Sequence, residues 1–181
     1  MHADPMLAVL ALGALAPGHR LGDYWLQSDH QAVTKGSPGR CGRRACTRHV
    51  ASLTAAQAGL LALALTATDT PAALLSVGAG LTINAVSHWW ADRRETLHGL
   101  VIATEPLTRK RRFYEEFGGA AHMDQAWHMV WMLPSALAIA SPPFFAGLIL
   151  AASLVVLGVC HVVARRAVLR DARRQAAATA S

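Results

Sequence analysis

Charge is scarce in this sequence. Asp, Glu, Lys and Arg make up 15% of its 181 residues, against 53% hydrophobic. That balance is the reverse of a disordered chain's. It also argues against a soluble nucleic-acid-binding domain, although the isoelectric point is near 10.0. Cysteine is scarce as well: Cys41, Cys46 and Cys160 cannot frame a disulfide-stapled fold of this length. Lysine is nearly missing, 2 against 15 arginines, and with abundant alanine this points to a GC-rich bacterial source. There is no GxxxxGK phosphate loop, no GxSxG elbow and no HExxH, so the commonest nucleotide, serine-hydrolase and zinc-protease patterns drop out. No Lys or Arg precedes Arg20. The first apolar run therefore lacks the basic leader of a cleaved signal peptide, despite the small residues around Ala14-Leu15-Ala16.

Apolar runs are what the chain has in quantity, and its mean hydropathy is +0.29. Four of them, at 50–68, 72–91, 121–140 and 144–163, approach the ~20 residues that cross a bilayer. A fifth starts at 5–18 and continues to Gln27, with a polar end that must face other helices rather than lipid. The expected fold is all-α: a polytopic membrane helix bundle of about five transmembrane helices.

The basic residues orient this bundle. Lys35, Arg40, Arg43, Arg44 and Arg48 follow span one. Arg93, Arg94, Arg109, Lys110, Arg111 and Arg112 follow span three. Arg165, Arg166, Arg170, Arg173 and Arg174 follow span five. Only Arg20 lies elsewhere, and the other side of the bundle carries no Lys or Arg. By the positive-inside rule the N-terminus is outside and the C-terminus cytoplasmic, in a bacterial inner membrane. Residues 1–164 are expected to form the bundle and 165–181 a basic cytoplasmic tail, helical at first and fraying by Ala176. Leu97–Ala103 is expected to lie along the interface and Arg109–Arg112 in a solvated loop. The basic blocks serve topology and contact with anionic lipids, not nucleic acid.

Ionisable residues in apolar spans cost on the order of 3 kcal/mol each at mid-bilayer, and here they gather at one depth. His19, Asp23 and Gln27 close span one, His49 opens span two, and His88 and Asp92 close span three. Asp124, Gln125 and His128 open span four, and His161 closes span five. His19–Asp23, His88–Asp92 and Asp124–His128 are i,i+4 pairs, each on one helix face. Imidazoles and carboxylates facing one another across a bundle suit a divalent metal such as zinc, manganese or iron. A hydrogen-bonded structural cluster and a proton or ion relay are the competing readings. Cys41 and Cys46 with His49 match no common zinc spacing and read as reduced thiols. The tryptophans near the inner boundary, Trp89, Trp90, Trp127 and Trp131 among them, read as an aromatic belt. Gly78 and Gly80 offer close helix contact.

His19-Arg20-Leu21-Gly22-Asp23-Tyr24-Trp25-Leu26-Gln27-Ser28-Asp29 resembles the opening motif of a bacterial multi-pass membrane family, the domain of unknown function 3307. Lys35, His49, His88 to Asp92 and Asp124-Gln125-Ala126-Trp127-His128 follow in that family's order, over about residues 7–140. The resemblance implies that the polar cluster is a site. It names no reaction beyond a loose similarity to membrane metal-dependent hydrolases.

The expected function is a metal-dependent hydrolase acting on an amphiphilic ester, such as a phosphoester or a lipid-linked substrate, at the cytoplasmic leaflet. His19, Asp23, His49, His88, Asp92, Asp124 and His128 are the candidate ligands. Asp23, Asp92 and Asp124 are the candidate catalytic carboxylates, and Gln27 and Gln125 orient the ligands. The alternatives are a non-enzymatic membrane partner, for example a mobile element's accessory protein working through Arg109–Arg112, and a small metal or proton transporter. The latter has only Asn84 and Thr82 as steps toward the outer face.

Overall fold

The computed structural model describes residues 2–179. They are helical, with no strand among them. In chain order the helices are α1 (Pro5–Leu21), a π-helical turn (Gly22–Leu26), α2 (Asp29–Thr34), α3 (Gly39–Ala67), α4 (Leu74–Asp92), α5 (Glu95–Thr108), α6 (Arg111–Glu116), α7 (Gly119–Ile139) and α8 (Pro143–Thr179). The five expected spans correspond to α1 with its π turn, α3, α4, α7 and α8. Two of these, α3 and α8, are long and apolar enough to cross a membrane. The helix expected to fray by Ala176 runs to Thr179, and Arg111 and Arg112 begin a short helix rather than lying in open loop.

Local chemistry sets the helix ends. Asp4 caps α1, its carboxylate accepting from Met6 N at 2.8 Å and Leu7 N at 2.9 Å, with Pro5 in the first turn. Ser28 and Gln31 form a reciprocal capping box on α2. α1 ends in a π turn, closed by Gln27 N donating to Gly22 O at 3.0 Å. Such turns recur at functional sites, and this one carries Asp23.

Four helices, α1, α3, α4 and α7, surround the centre, with α1 against α3 and α7, and α4 against α7 and α3. α8 lies outside this group, against α4, α7 and α5. Two glycines permit close approaches among these four helices. A Cβ on Gly18 would come within 2.8 Å of Gln57 Cα on α3, and one on Gly80 within 2.5 Å of Ser135 O on α7. Gly78 faces open space, so of the two glycines noted on α4 only Gly80 serves a contact.

The bundle has two chemically distinct ends. At one, Asp4 N donates to Ala140 O at 2.9 Å and Ser76 Oγ to Ser141 O at 2.7 Å, joining the start of α1, the start of α4 and the α7–α8 turn. At the other lie α2, α5, α6 and every basic residue noted above except Arg20. The interior holds an unusual amount of polarity, while Val130, Leu133, Leu148, Val155 and Val159 are exposed on the outer faces of α7 and α8. The aromatic belt is only partly what forms: Trp90 and Trp131 are buried, and Trp127 stacks on Trp90 at 4.6 Å, as an internal wedge between α4 and α7. Trp25 and Tyr24 do stand at the rim, exposed.

Candidate metal centre

Helical periodicity delivers each pair to the centre. His19 and Asp23 descend from α1 and its π turn, His49 from α3, His88 and Asp92 from the last turns of α4, and Asp124 and His128 from α7. The four imidazoles are at most 2% exposed and Asp92 1%. The Asp23 side chain is 7% exposed and that of Asp124 26%. All seven candidate ligands thus meet in one place, drawn from four helices.

His49 Nε2 and His88 Nε2 are 3.1 Å apart. Asp23 Oδ1 flanks them at 3.1 and 3.4 Å, and Asp92 Oδ2 at 3.4 and 3.3 Å. Neighbouring ligands on one ion, with bonds of about 2.1 Å, sit about 3.0–3.4 Å apart. One donor atom each from His49, His88 and Asp92 lies within 4.8 Å of the others, and the same holds for His19, Asp23 and His88 and for Asp92, Asp124 and His128. The three groups share His88 and Asp92, so the donors form a continuous string.

The hydrogen bonding is what a purely structural cluster should not leave. Asp23 Oδ1, Asp92 Oδ2 and both nitrogens of His128 are buried without a hydrogen-bond partner, while Asp92 Oδ1 faces the Lys35 ammonium. The distances are short, but the groups aim past one another at common points. Buried polar atoms left this way cost about 1–3 kcal/mol each, and a bound cation would satisfy the carboxylate oxygens together with one nitrogen of each imidazole that it reaches.

Supporting residues surround the donors. Gln125 accepts from His19 Nε2 at 3.2 Å through Oε1, and its Nε2 donates to Asp23 Oδ2 at 2.8 Å, so one amide fixes two ligands. Gln27 touches no ligand; its amide nitrogen is buried without a partner. His128 stacks on His88 at 3.8 Å and lies 3.4 Å from Asp124 Oδ2. His161 is exposed on α8, away from the cluster, and no cysteine joins a donor group among the described residues.

No family model, curated protein or solved structure matches the chain.

Two participants were hidden in the sequence. Lys35, read there as a topology marker and as part of the resemblance, is buried with Nζ 2.7 Å from Asp92 Oδ1. Its loop is held by Arg93, which donates to the carbonyls of Lys35 and Ser37, and by Arg94, which donates to Ala32 O at 3.0 Å. Gln57 is the other. Its Nε2 donates to Leu15 O at 3.0 Å and its Oε1 accepts from Asn84 at 2.5 Å, tying α1, α3 and α4 together below the cluster. A lone Gln inside the apolar run at 50–68 was the available signal.

A cleft of about 440 Å³ leads to the cluster from the basic end of the bundle. Asp23, Asp92, Asp124, Lys35, Arg94 and Gln27 line it.

Proposed function

We propose that this chain is a metal-dependent hydrolase of a bacterial inner membrane, acting on an amphiphilic ester that reaches the cleft from the cytoplasmic leaflet. The observation that carries the reading is the convergence of buried, unpartnered His and Asp donors from four helices at the floor of an open cleft. His49, His88, Asp23 and Asp92 are the best-placed ligands for one ion. The donor set agrees in charge: three carboxylates against the Lys35 ammonium leave two negative charges, matched by one divalent cation. Zinc, manganese or iron suits imidazole with carboxylate.

Such an ion, when bound, supplies Lewis acidity and makes water acidic enough to serve as a nucleophile near neutral pH. The chain supplies the rest. Gln125 orients His19 and Asp23, and Lys35 stands against Asp92. Asp124 lines the cleft 3.4 Å from His128, and in this reading its carboxylate would take a proton from water. The ordered motifs that resemble the domain of unknown function 3307 are the residues that meet here, which supports treating them as one site.

The membrane setting is part of the proposal: five spans, N-terminus outside, C-terminus cytoplasmic. Its supports are the apolar outer faces of α7 and α8, the two helices of spanning length and the concentration of arginine at one end. Anionic lipid headgroups are the partners proposed for that end, where Arg166, Arg170 and Arg174 line a groove beside Ile102 and Pro106. The partner-protein reading has less to rest on, because Arg111 is engaged by Asp171 and Glu115 and Arg112 by Glu116. A transport path finds no continuation through Thr82, which is exposed and hydrogen-bonded to Gly78 O.

Elemental analysis of the detergent-purified chain tests the proposal. We expect one divalent ion per chain, lost in His88→Ala and depleted in Asp124→Ala at unchanged helix content. Metal-free, folded wild-type protein, or full occupancy in both variants, rejects it.

A further inference from the structure

The cleft above the donors has a chemical bias of its own. Its acceptors are the carboxylates of Asp23, Asp92 and Asp124 and the Gln125 amide oxygen. The carboxylates belong to the donor string, and the Gln125 oxygen faces His19. What remains in the lining is mainly donors: the Lys35 ammonium, the Arg94 guanidinium, the Gln27 amide nitrogen and the hydroxyls of Tyr24 and Tyr114, with the Gln27 amide oxygen as the one further side-chain amide acceptor.

Three observations indicate that this set is built rather than incidental. Lys35 is buried, and its loop is pinned from below by Arg93 through two backbone carbonyls. Gln27 Nε2 is buried with no partner, an uncommon state for an amide able to donate twice. Arg94 sits at φ 57°, a left-handed conformation that a residue with a side chain seldom adopts. That conformation turns the chain sharply from α4 into α5 and sets Arg94 at the cleft. Burial holds the Tyr114 phenol above its ordinary pKa, so it keeps its proton as a donor.

We infer that the cleft is a phosphoryl-binding subsite, in which Lys35, Arg94 and Gln27 grip the oxygens of a phosphate monoester beside the metal donors. The inference rests on the hydrolase reading above and specifies its substrate class. A phosphoryl group offers only acceptor oxygens and up to two negative charges, and planar guanidinium and point-like ammonium are the usual partners for it. A neutral carboxylic ester would bring no charge for Arg94 to pair with. The volume, about 440 Å³, admits a phosphorylated headgroup.

The test is binding of inorganic phosphate to the full-length, metal-loaded chain in detergent, followed by calorimetry, with metal content measured on every sample. Gln27→Leu is the cleanest variant, because its amide nitrogen bonds nothing in the protein and its loss does not unpair another group. Arg94→Gln accompanies it. We expect wild-type protein to bind phosphate in preference to acetate, and each variant to weaken phosphate about tenfold while retaining metal. Metal-loaded wild type that binds phosphate no better than acetate overturns the subsite and leaves the metal centre standing, as does unchanged phosphate affinity in Gln27→Leu and Arg94→Gln together. Protein without metal overturns the hydrolase reading, while phosphate binding lost in the variants would still uphold the subsite. A parallel titration with dihexanoyl phosphatidic acid separates the sources. Binding about tenfold tighter than inorganic phosphate assigns a lipid headgroup, and equal binding assigns a soluble phosphate.

Discussion

Gly78 and Gly80 lie on the same helix with opposite surroundings, so they calibrate how tightly α4 meets α7. A methyl on Gly80 meets Ser135 O and the Ile139 side chain, whereas a methyl on Gly78 meets nothing within 4 Å. Gly80→Ala should therefore destabilise by about 1–3 kcal/mol. Gly78→Ala should be neutral or stabilising by up to about 1 kcal/mol, through helix propensity. Thermal unfolding in one detergent compares them, and equal shifts would show that the helices do not touch there. The same scale applies to Gln125, whose single amide holds His19 and Asp23. Gln125→Leu should weaken metal affinity about 10–100-fold, read by chelator competition, with the fold intact. An unchanged affinity would remove Gln125 from the site.

At the scale of elements, α5, α6 and α8 are joined by one ionic knot. Arg111 donates to both oxygens of Asp171 at 2.9 and 2.8 Å and to Glu115 at 2.9 Å, and Glu115 also meets His98 at 2.8 Å. The hydrogen bond from His98, then Arg111, holds the Glu115 carboxyl below its ordinary pKa. A carboxyl depressed in the folded state contributes above its unfolded pKa, and the contribution disappears as pH falls through the lower folded value. Acidification below about pH 4 should thus loosen α6 and the C-terminal turns of α8, a change checked by hydrogen exchange corrected for intrinsic rate. Arg111→Ala should produce the same local opening at neutral pH with little change in global stability, because exposed ion pairs are worth about 0–1 kcal/mol. Identical exchange in wild type and variant would mean the knot holds nothing.

For the whole molecule, the decisive property is a polar cluster inside the bundle and much apolar surface outside it. In the proposed membrane setting, lipid would provide no hydrophobic drive between helices, so close approach and interhelical hydrogen bonds would have to hold the bundle together. Gly18, Gly80 and the Gln57–Asn84 pair are the means available here. The proposed orientation gives a direct test. A membrane-impermeant thiol reagent applied to intact cells should label Thr70→Cys in the outer turn, while exposed Cys41 should react only after permeabilisation. The reverse pattern would invert the topology.

Periodicity and charge in the sequence determined which stretches are helical and which residues share a face, because i,i+4 spacing is a property of the helix itself. His19–Asp23, His88–Asp92 and Asp124–His128 were legible for that reason, and all three pairs meet in the centre. His161, which shares only the cluster's depth along the chain, does not join it, because depth says nothing about which way a helix face turns, and α8 packs outside the central four. Tertiary structure alone decided that Lys35 leaves the topological arginines to meet Asp92, that Gln57 bridges three helices, and that Gln27 faces a cleft instead of a ligand. Those outcomes depend on where a loop is pinned and how closely two helices approach, and neither quantity is written in the spacing of residues along one helix.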